Sequence, residues 1–438
     1  MDLDNLDTFR IATCDLNGQM RGKRMPQKDQ RKLASGDLRM PLSVLNVDIW
    51  GADIINSPLL FASGDGDGYL LPTNRGPVPM PWLDQPSALV GMWMFEEDGR
   101  PFEGDPRHAL AQILDRYAAR GWQVVAATEL EFYLIDDSAE SLRPPKDPTS
   151  NRKIDSSAIL SLQQLDAFEP FFSELYQSCA QMGINAQAAS SEAGIGQFEI
   201  SLQHGAALRI ADATWLFKAL LKGLARKHGY AASFMAKPYP NDAGNGLHLH
   251  FSVIDEAGEN IFDDGTKQGS PLLQNAIAGC LATMRAATLG FAPHANSYTR
   301  MDPENHAPTS ICWGYENRTA ALRIPAGAHR TRRIEHRVAG GDINPFLTLS
   351  LILGAALLGI EDDLTPPPPI TGNAYSQDLP QLIHSWPEAI DMFENDPMIA
   401  RILPAQLIEN FSLTKRQELD GLKNIPQEEH WKIYLETV

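Results

Sequence analysis

Three strand-like segments that carry ionisable residues on one face constrain the fold of this chain more than any other feature. The first reads AATELEFYLI at Ala126–Ile135. Because side chains alternate along a strand, Glu129 and Glu131 lie on one face and the apolar residues between them on the other. Two carboxylates therefore lie side by side. Taken alone, this segment is typical of a half-buried strand with a solvated acidic face.

The same spacing recurs with different chemistry further along the chain. GLHLHFSV at Gly246–Val253 places His248 and His250 on one face, and RRIEHR at Arg332–Arg337 does the same with Arg333, Glu335 and Arg337. Imidazole, carboxylate and guanidinium groups are rarely buried without partners. We therefore predict that the three faces line one polar cavity, in which the carboxylates and a histidine hold cations and the arginines hold anions.

The size and charge of the chain narrow its class. A length of 438 residues is enough for a large core and favours one large catalytic domain with an accessory one. The formal net charge of −18 and the lack of a basic patch argue against a nucleic-acid-binding surface. No GxGxxG or Walker-type loop is present, so a nucleotide would have to be held in another way.

The pattern of cysteines and the hydropathy of the chain indicate in which cellular compartment the protein works. The cysteines are scattered, without a CxxC pair and without a preceding secretory signal, at Cys14, Cys179, Cys280 and Cys312. We expect neither disulfides nor a zinc-thiolate site, and we predict a cytoplasmic protein. The longest apolar run, Phe346–Ile360, is too short to span a bilayer and predicts a buried core helix that starts at Asn344-Pro345. No membrane partner is expected.

Turn and cap signals divide the chain into two domains. Phe9–Pro26 predicts a hairpin with Asn17-Gly18 as its two-residue turn, and Ala88–Phe95 predicts a strand. A helix is predicted at Pro106–Arg120, with Asp105 as its N-cap. We therefore predict an α+β fold with a small β-rich domain at 1–103 and a large domain at 104–438.

A further motif carries acids around a Gly-rich turn. SEAGIGQFEI at Ser191–Ile200 presents Glu192 and Glu199, and its AGIG segment allows the backbone to approach a ligand closely. With this motif the chain resembles the glutamine synthetase superfamily over essentially its whole length. The other motifs that carry the resemblance are DLNGQMRGKRMP at Asp15–Pro26, ELEFYL at Glu129–Leu134, AGNGLHLHFS at Ala243–Ser252, NSYTRMDPENHAP at Asn296–Pro308, ENRTAALRIP at Glu316–Pro325 and RRIEHRVAGGDINPF at Arg332–Phe346.

The resemblance implies a glutamine synthetase fold, in which an N-terminal β-grasp domain precedes a catalytic domain with a curved antiparallel sheet along the active site. It also implies ligands for two divalent ions. Those of the first ion, beside the amino-acid substrate, are Glu131, Glu192 and Glu199. Those of the second ion, beside the ATP phosphates, are Glu129, His248 and Glu335. A carboxylate-dominated set favours Mg²⁺ or Mn²⁺ over zinc.

The resemblance further implies which residues bind the substrates. ATP, as co-substrate, would contact His250, Ser252, Arg318, Arg323 and Arg333, whose guanidiniums suit bidentate phosphate contacts. Glutamate would contact Glu131, Gly244, His248, Arg300 and Arg337. The implied reaction phosphorylates the γ-carboxylate of glutamate, and an amine then displaces phosphate to give an amide. Arg318 would assist the phosphoryl transfer.

Members of the superfamily are commonly dodecamers of two hexameric rings, with each active site between two subunits. The resemblance therefore implies a homo-oligomer. An acid from the N-terminal domain would enter the amine pocket of a neighbour, and Asp48 is the candidate by order along the chain, with Asp67 as a second one. A plain loop position for Asp48 is the alternative.

The chain departs from ammonium-using members in two places. His306 stands where their flap carries a Glu that binds ammonium and takes its proton, and no Tyr is present from Leu134 through Leu175, where they place one at the amine pocket. A neutral imidazole is a poorer partner for a small cation than a carboxylate. We therefore predict an organic amine as the nucleophile and His306 as its general base. A flap that tolerates many residues is the alternative explanation of His306.

Three functions follow, in this order of preference. The first is a γ-glutamyl-amine ligase, acting on a polyamine, ethanolamine or a short alkylamine. The second is a true ammonium-using glutamine synthetase. The third is a non-catalytic structural or regulatory oligomer, which would have no need of the complete metal-binding set. Tyr375 lies near the position of a modifiable tyrosine in adenylylation-controlled relatives, but its flanking residues do not match, and such control is not predicted.

Overall fold

The computed structural model describes residues 2–302 and 307–438, and its strands form two sheets. The strands of the first sheet are β1 (Thr8–Cys14), β2 (Met20–Pro26), β3 (Arg39–Pro41), β4 (Asp67–Pro72), β5 (Val78–Pro79) and β6 (Ala88–Phe95). Their order is β2-β1-β6-β4-β3, with β5 paired to β6, and helix α1 (Lys32–Ser35) follows β2. Phe9, Leu70 and Met94 belong to an apolar cluster of this region. The N-terminal residues are thus β-rich, as predicted.

The second sheet is larger and mostly antiparallel. Its strands are β7 (Gln123–Ile135), β8 (Ala186–Ser191), β9 (Gln197–Ala206), β10 (Ala231–Ser233), β11 (Leu247–Ile254), β12 (Trp313–Tyr315), β13 (Leu322–Ile324) and β14 (Ile334–His336). Their order is β12-β13-β14-β11-β7-β9-β8, and β10 pairs with β7. The three strand-like segments with ionisable faces are β7, β11 and β14, which are neighbours in this sheet. The predicted α+β fold is therefore confirmed.

Helices precede, connect and follow the strands of the second sheet. They are α2 (Pro106–Ala118), α3 (Leu162–Ala167), α4 (Glu169–Gln181), α5 (Ala207–Lys227), α6 (Pro271–Met284), α7 (Thr288–Phe291), α8 (Ser297–Arg300), α9 (Pro345–Glu361), α10 (Trp386–Asn395), α11 (Pro397–Ile402), α12 (Ala405–Leu422) and α13 (Trp431–Thr437). The predicted core helix is α9, which is buried from Pro345 to Gly359 and capped by the Asn344 side chain. Among the described residues, no helix has both the length and the apolar character needed to cross a bilayer.

The hairpin of β1 and β2 is confirmed, but its predicted two-residue turn is wrong. The ladder ends at the Cys14–Met20 pair, so the connection is the five-residue loop 15–19. The Asp15 carboxylate shapes this loop by accepting hydrogen bonds from the backbone amides of Asn17 and Gln19, at 2.9 and 2.8 Å. Gly18 has a φ of +82°, which favours glycine.

A buried ion pair joins the first sheet to the helices of the second. Arg107 at the start of α2 makes a bidentate contact with Asp212 of α5, at 2.8 and 2.9 Å. The guanidinium also stacks on the Trp93 ring of β6, 3.6 Å from its centroid. Both charged side chains are almost fully buried. Geometry of this kind is what allows an ion pair to offset the cost of removing two charges from water.

Candidate active site

Strand register brings the ionisable residues of the second sheet into neighbouring rows. Glu129 of β7 pairs with His248 of β11, and Glu131 pairs with Glu199 of β9. One row further along, His250 pairs with Glu335 of β14, which in turn pairs with Arg323 of β13. Because the residues of each strand are two apart, they share one face of the sheet. The predicted common polar face is therefore present.

Glu129 lies at the centre of this face. Its two carboxylate oxygens lie 3.2 Å from Nδ1 of His248 and 3.1 Å from Nε2 of His250. Burial would raise the pKa of Glu129, but its interactions with these two imidazoles hold it below its ordinary value. Glu129 is thus kept as a carboxylate that can bind a cation.

Three further carboxylates repel one another beside Glu129. Burial, together with Glu131 and Glu129, raises the pKa of Glu199 to about 9. Burial and Glu131 also raise the pKa of Glu192 to about 7, against the opposing charge of Arg318. Such a concentration of partly buried acids is stabilised by positive charge of higher density than a guanidinium supplies.

The donor atoms fit divalent cations. Within the described parts of the chain, two sets of donor atoms lie within 4.8 Å of one another: Glu129, Glu199 and His248 form one, and Glu129, His250 and Glu335 form the other. Carboxylate oxygens with an imidazole nitrogen suit Mg²⁺ or Mn²⁺. The geometry shares Glu129 between the sets and adds His250, which the resemblance assigned to ATP. Glu131 and Glu192 lie beside these sets but outside them, so the predicted division of ligands between two ions stays a prediction.

Two arginines hold Glu335 in place. Arg323 donates to one of its oxygens at 2.9 Å, and Arg337 donates to the other. Burial opposes the ionised form, but Arg337, the two imidazoles and Arg323 together lower the pKa of Glu335. Arg323 was predicted to bind phosphate and Arg337 to bind glutamate, and both guanidiniums here also fix a candidate metal ligand.

The predicted glutamate-binding residues meet on the other side of Glu131. The Gly246 amide donates to the Glu131 carboxylate at 2.6 Å. Arg300 of α8 is buried, donates to the Val338 carbonyl at 2.9 Å, and lies so close to Gly244 that a Cβ there would be 2.7 Å from its Cγ. Glycine at position 244 is therefore required for Arg300 to lie beside the acidic face.

A cavity of about 530 Å³ opens next to Glu129. His250, Ser252 and Arg333, all predicted to contact ATP, line it, and Arg333 donates to His250 Nδ1 at 3.3 Å. The volume is in the range of small-molecule and cofactor sites. Sequence reasoning missed other polar residues of its wall, among them Gln187, His204 and Arg330.

Gln197 was also missed, although it lies within the SEAGIGQFEI motif. Its side chain donates to the Gly244 carbonyl and the Asn245 side chain, both at 3.0 Å, and accepts from the Gly194 amide at 2.9 Å. It therefore ties the Gly-rich turn to the segment that leads into β11. A Cβ at Gly194 would be only 1.8 Å from the Tyr133 hydroxyl. The glycines of this turn are required for packing within the protein.

The remaining predicted catalytic residues are placed as follows. Arg318 is exposed and close enough to Glu192 to lower its pKa. Asp48 is buried; its carboxylate accepts from the amides of Trp50 and Ala52 and from the Gln417 side chain, at 3.0, 2.9 and 2.8 Å. These contacts lie within its own chain and favour the alternative of a loop acid. His306 lies outside the described residues.

Comparisons with known proteins agree with this geometry. The family model described as "Glutamine synthetase, catalytic domain" matches residues 103–434. The chain is 35% identical to gamma-glutamylputrescine synthetase of Escherichia coli (strain K12), over 95% of this chain and 89% of that protein. It is 32% identical to gamma-glutamylethanolamide synthetase of Streptomyces coelicolor, over 95% and 90%. A solved structure described as a novel glutamine synthase homolog superposes with a TM-score of 0.85 at 26% identity, covering 100% of both chains. The chain belongs to the glutamine synthetase family and is an ATP-dependent ligase.

Proposed function

We propose that this protein joins the γ-carboxylate of L-glutamate to an organic primary amine, at the expense of ATP and through γ-glutamyl phosphate. The observation that carries the proposal is the single polar face on which four glutamates and two histidines meet beside a cavity of about 530 Å³. A family fold without catalysis would not need this costly concentration of buried charge.

The chain's own residues would act mainly by positioning. Arg333, Ser252 and His250 line the cavity where the ATP phosphates would lie. Arg300 and Arg337 would hold the carboxylates of glutamate and bring the γ-carboxylate in line with the transferred phosphoryl group. Divalent cations, Mg²⁺ or Mn²⁺, bound at Glu129 and its neighbours would neutralise charge on that group. His306 would take the proton from the attacking amine.

An organic nucleophile is supported by the relatives and by the sequence. Two relatives that match 95% of this chain are named for products of putrescine and of ethanolamine. His306 replaces the carboxylate expected to bind ammonium. The amine pocket would accordingly be wider and less anionic than one built for ammonium.

The wider organisation is proposed on the same grounds. We place a domain boundary between residues 103 and 104, because residues 3–102 contribute an apolar cluster of their own and the family model begins at residue 103. A homo-oligomer, with a dodecamer of two rings as its form, is supported by large apolar side chains exposed in one short segment: Trp50 is 42%, Ile55 74% and Phe61 89% exposed. We place this assembly in the cytoplasm.

The experiment that tests the proposal measures ADP release by the purified protein with ATP, Mg²⁺ and glutamate while the amine is varied. The proposal predicts that an organic amine supports turnover with a higher kcat/KM than ammonium, and that mass spectrometry detects the γ-glutamyl amide. A higher kcat/KM with ammonium would instead make the protein a glutamine synthetase.

A further inference from the structure

Tyr375 lies where the proposed function gives it no role. It belongs to a single 3₁₀ turn, Ala374–Ser376, in the connection between α9 and α10. The turn is anchored beside β13, because the Ala374 amide donates to the Thr319 hydroxyl at 2.9 Å and Ala374 packs against Ala320. The next residue, Ala321, accepts a hydrogen bond from the Arg337 amide. The fold therefore places Tyr375 next to Arg337.

The Tyr375 hydroxyl is a buried polar atom without a partner among the described residues. Burial raises the pKa of the phenol, while the charges of Arg337 and Arg300 oppose that rise. The hydroxyl is thus within electrostatic reach of both guanidiniums that are proposed to hold glutamate. A buried hydroxyl left unpaired costs free energy, so this position calls for a partner that arrives with a ligand.

Arg337 provides an independent observation of the same kind. The residue is 7% exposed, and its Nη1 donates to Glu335. Its Nε is buried and, within the described chain, makes no hydrogen bond. Two donors, a guanidinium N–H and a phenol O–H, therefore lie near each other without an acceptor. The group that satisfies both, in a region of positive charge, is an anion with two acceptor oxygens.

We propose that the Tyr375 hydroxyl donates a hydrogen bond to a carboxylate of the amino-acid substrate, which the Arg337 Nε–H holds at the same time. This inference rests on the proposed function, since it requires glutamate at this place. It makes Tyr375 a substrate-binding residue, and it explains why a half-exposed side chain carries a buried hydroxyl.

The test compares Tyr375→Phe with Tyr315→Phe as matched control. The Tyr315 hydroxyl donates to the Gln268 carbonyl outside this region. Losing a hydrogen bond to a charged group raises the KM for glutamate by about 10- to 100-fold in Tyr375→Phe. The KM for ATP and kcat at saturating glutamate stay within about threefold of the parent. Tyr315→Phe leaves the KM for glutamate unchanged.

Thermal unfolding supplies a second readout. Because the hydroxyl has no protein partner, Tyr375→Phe is expected to unfold within about 2 °C of the parent without ligand and to lose most of the stabilisation by L-glutamate. An unchanged glutamate KM, or a clear loss of stability in the unliganded variant, would overturn the inference while the parent's turnover upholds the proposed function. A parent that neither turns over nor is stabilised with glutamate would overturn both.

Discussion

Replacing Gly244 by alanine tests the proposed glutamate site at a position that has no room for a Cβ. An added Cβ would lie 2.7 Å from Cγ of Arg300 and 2.8 Å from the Ala236 carbonyl oxygen. The carbonyl belongs to the backbone and accepts the Asn245 amide at 2.8 Å, so it cannot retreat without breaking that bond. Arg300 therefore has to move to relieve the first contact, and the contact with the Ala236 oxygen adds strain to the backbone.

The size of the movement follows from the contact distances. Ordinary van der Waals contact begins near 3.4 Å, so Cγ of Arg300 has to withdraw from 2.7 Å by about 0.7 Å. Overpacking of this extent costs about 1–3 kcal/mol in a well-packed core. Displacing a substrate-positioning group by nearly 1 Å can lower the rate by about a hundredfold. We expect the kcat/KM for glutamate to fall by about ten- to a hundredfold.

The assay is steady-state ADP release with glutamate varied at saturating ATP and amine. Gly66→Ala is the matched control, because no atom lies within 4 Å of a Cβ at position 66. The KM for ATP should stay within about twofold in both variants, since Gly244 lies on the glutamate side. An unchanged kcat/KM for glutamate in Gly244→Ala would refute the placement of the substrate beside Arg300.

Three other predictions concern catalysis and stability. Glu131→Ala removes a half-buried carboxylate that is proposed to bind a cation. It should abolish ADP release while leaving the unfolding midpoint nearly unchanged, and retained turnover would contradict the metal assignment. Asp212→Ala leaves the buried Arg107 without its partner carboxylate. Urea titrations should show a free energy of unfolding lower by about 3–5 kcal/mol. A loss below about 1 kcal/mol would contradict the account of this ion pair. Burial and Lys415 lower the pKa of His294 well below its ordinary 6.5, so its contribution to stability is complete above pH 6.5 and is lost as the pH falls towards the folded pKa. His294→Gln should flatten the pH dependence of the unfolding midpoint below pH 6.5, and an unchanged slope would contradict this assignment.

The polar faces of β7, β11 and β14 could be predicted because period two in a strand is a local property. Glu129 and His248 each alternate with apolar residues that have to face the core. Their pairing could not be predicted, because register between strands far apart in sequence depends on tertiary packing. For the same reason the division of ligands between two cations, which depends on distances, did not follow from the motifs.

Irregular segments were the least predictable part of the site. The loop at residues 15–19 takes its shape from the Asp15 carboxylate, which outweighs the two-residue turn signal of Asn17-Gly18. Tyr375 lies in a 3₁₀ turn of three residues. Such a turn is too short to show the hydrophobic periodicity from which a buried face can be predicted. Gln197 had a signal, since it lies between the Gly-rich turn and Glu199, but its partners come from a distant segment.

The relative rates with different amines test the central claim most directly. Purified protein is supplied with ATP, Mg²⁺ and glutamate, and ADP release is followed with ammonium, methylamine, isopropylamine, ethanolamine, putrescine and spermidine in turn. We predict that one organic amine exceeds ammonium in kcat/KM by at least about tenfold and yields its γ-glutamyl amide. Ammonium as the best substrate, with glutamine as the product, would contradict the claim.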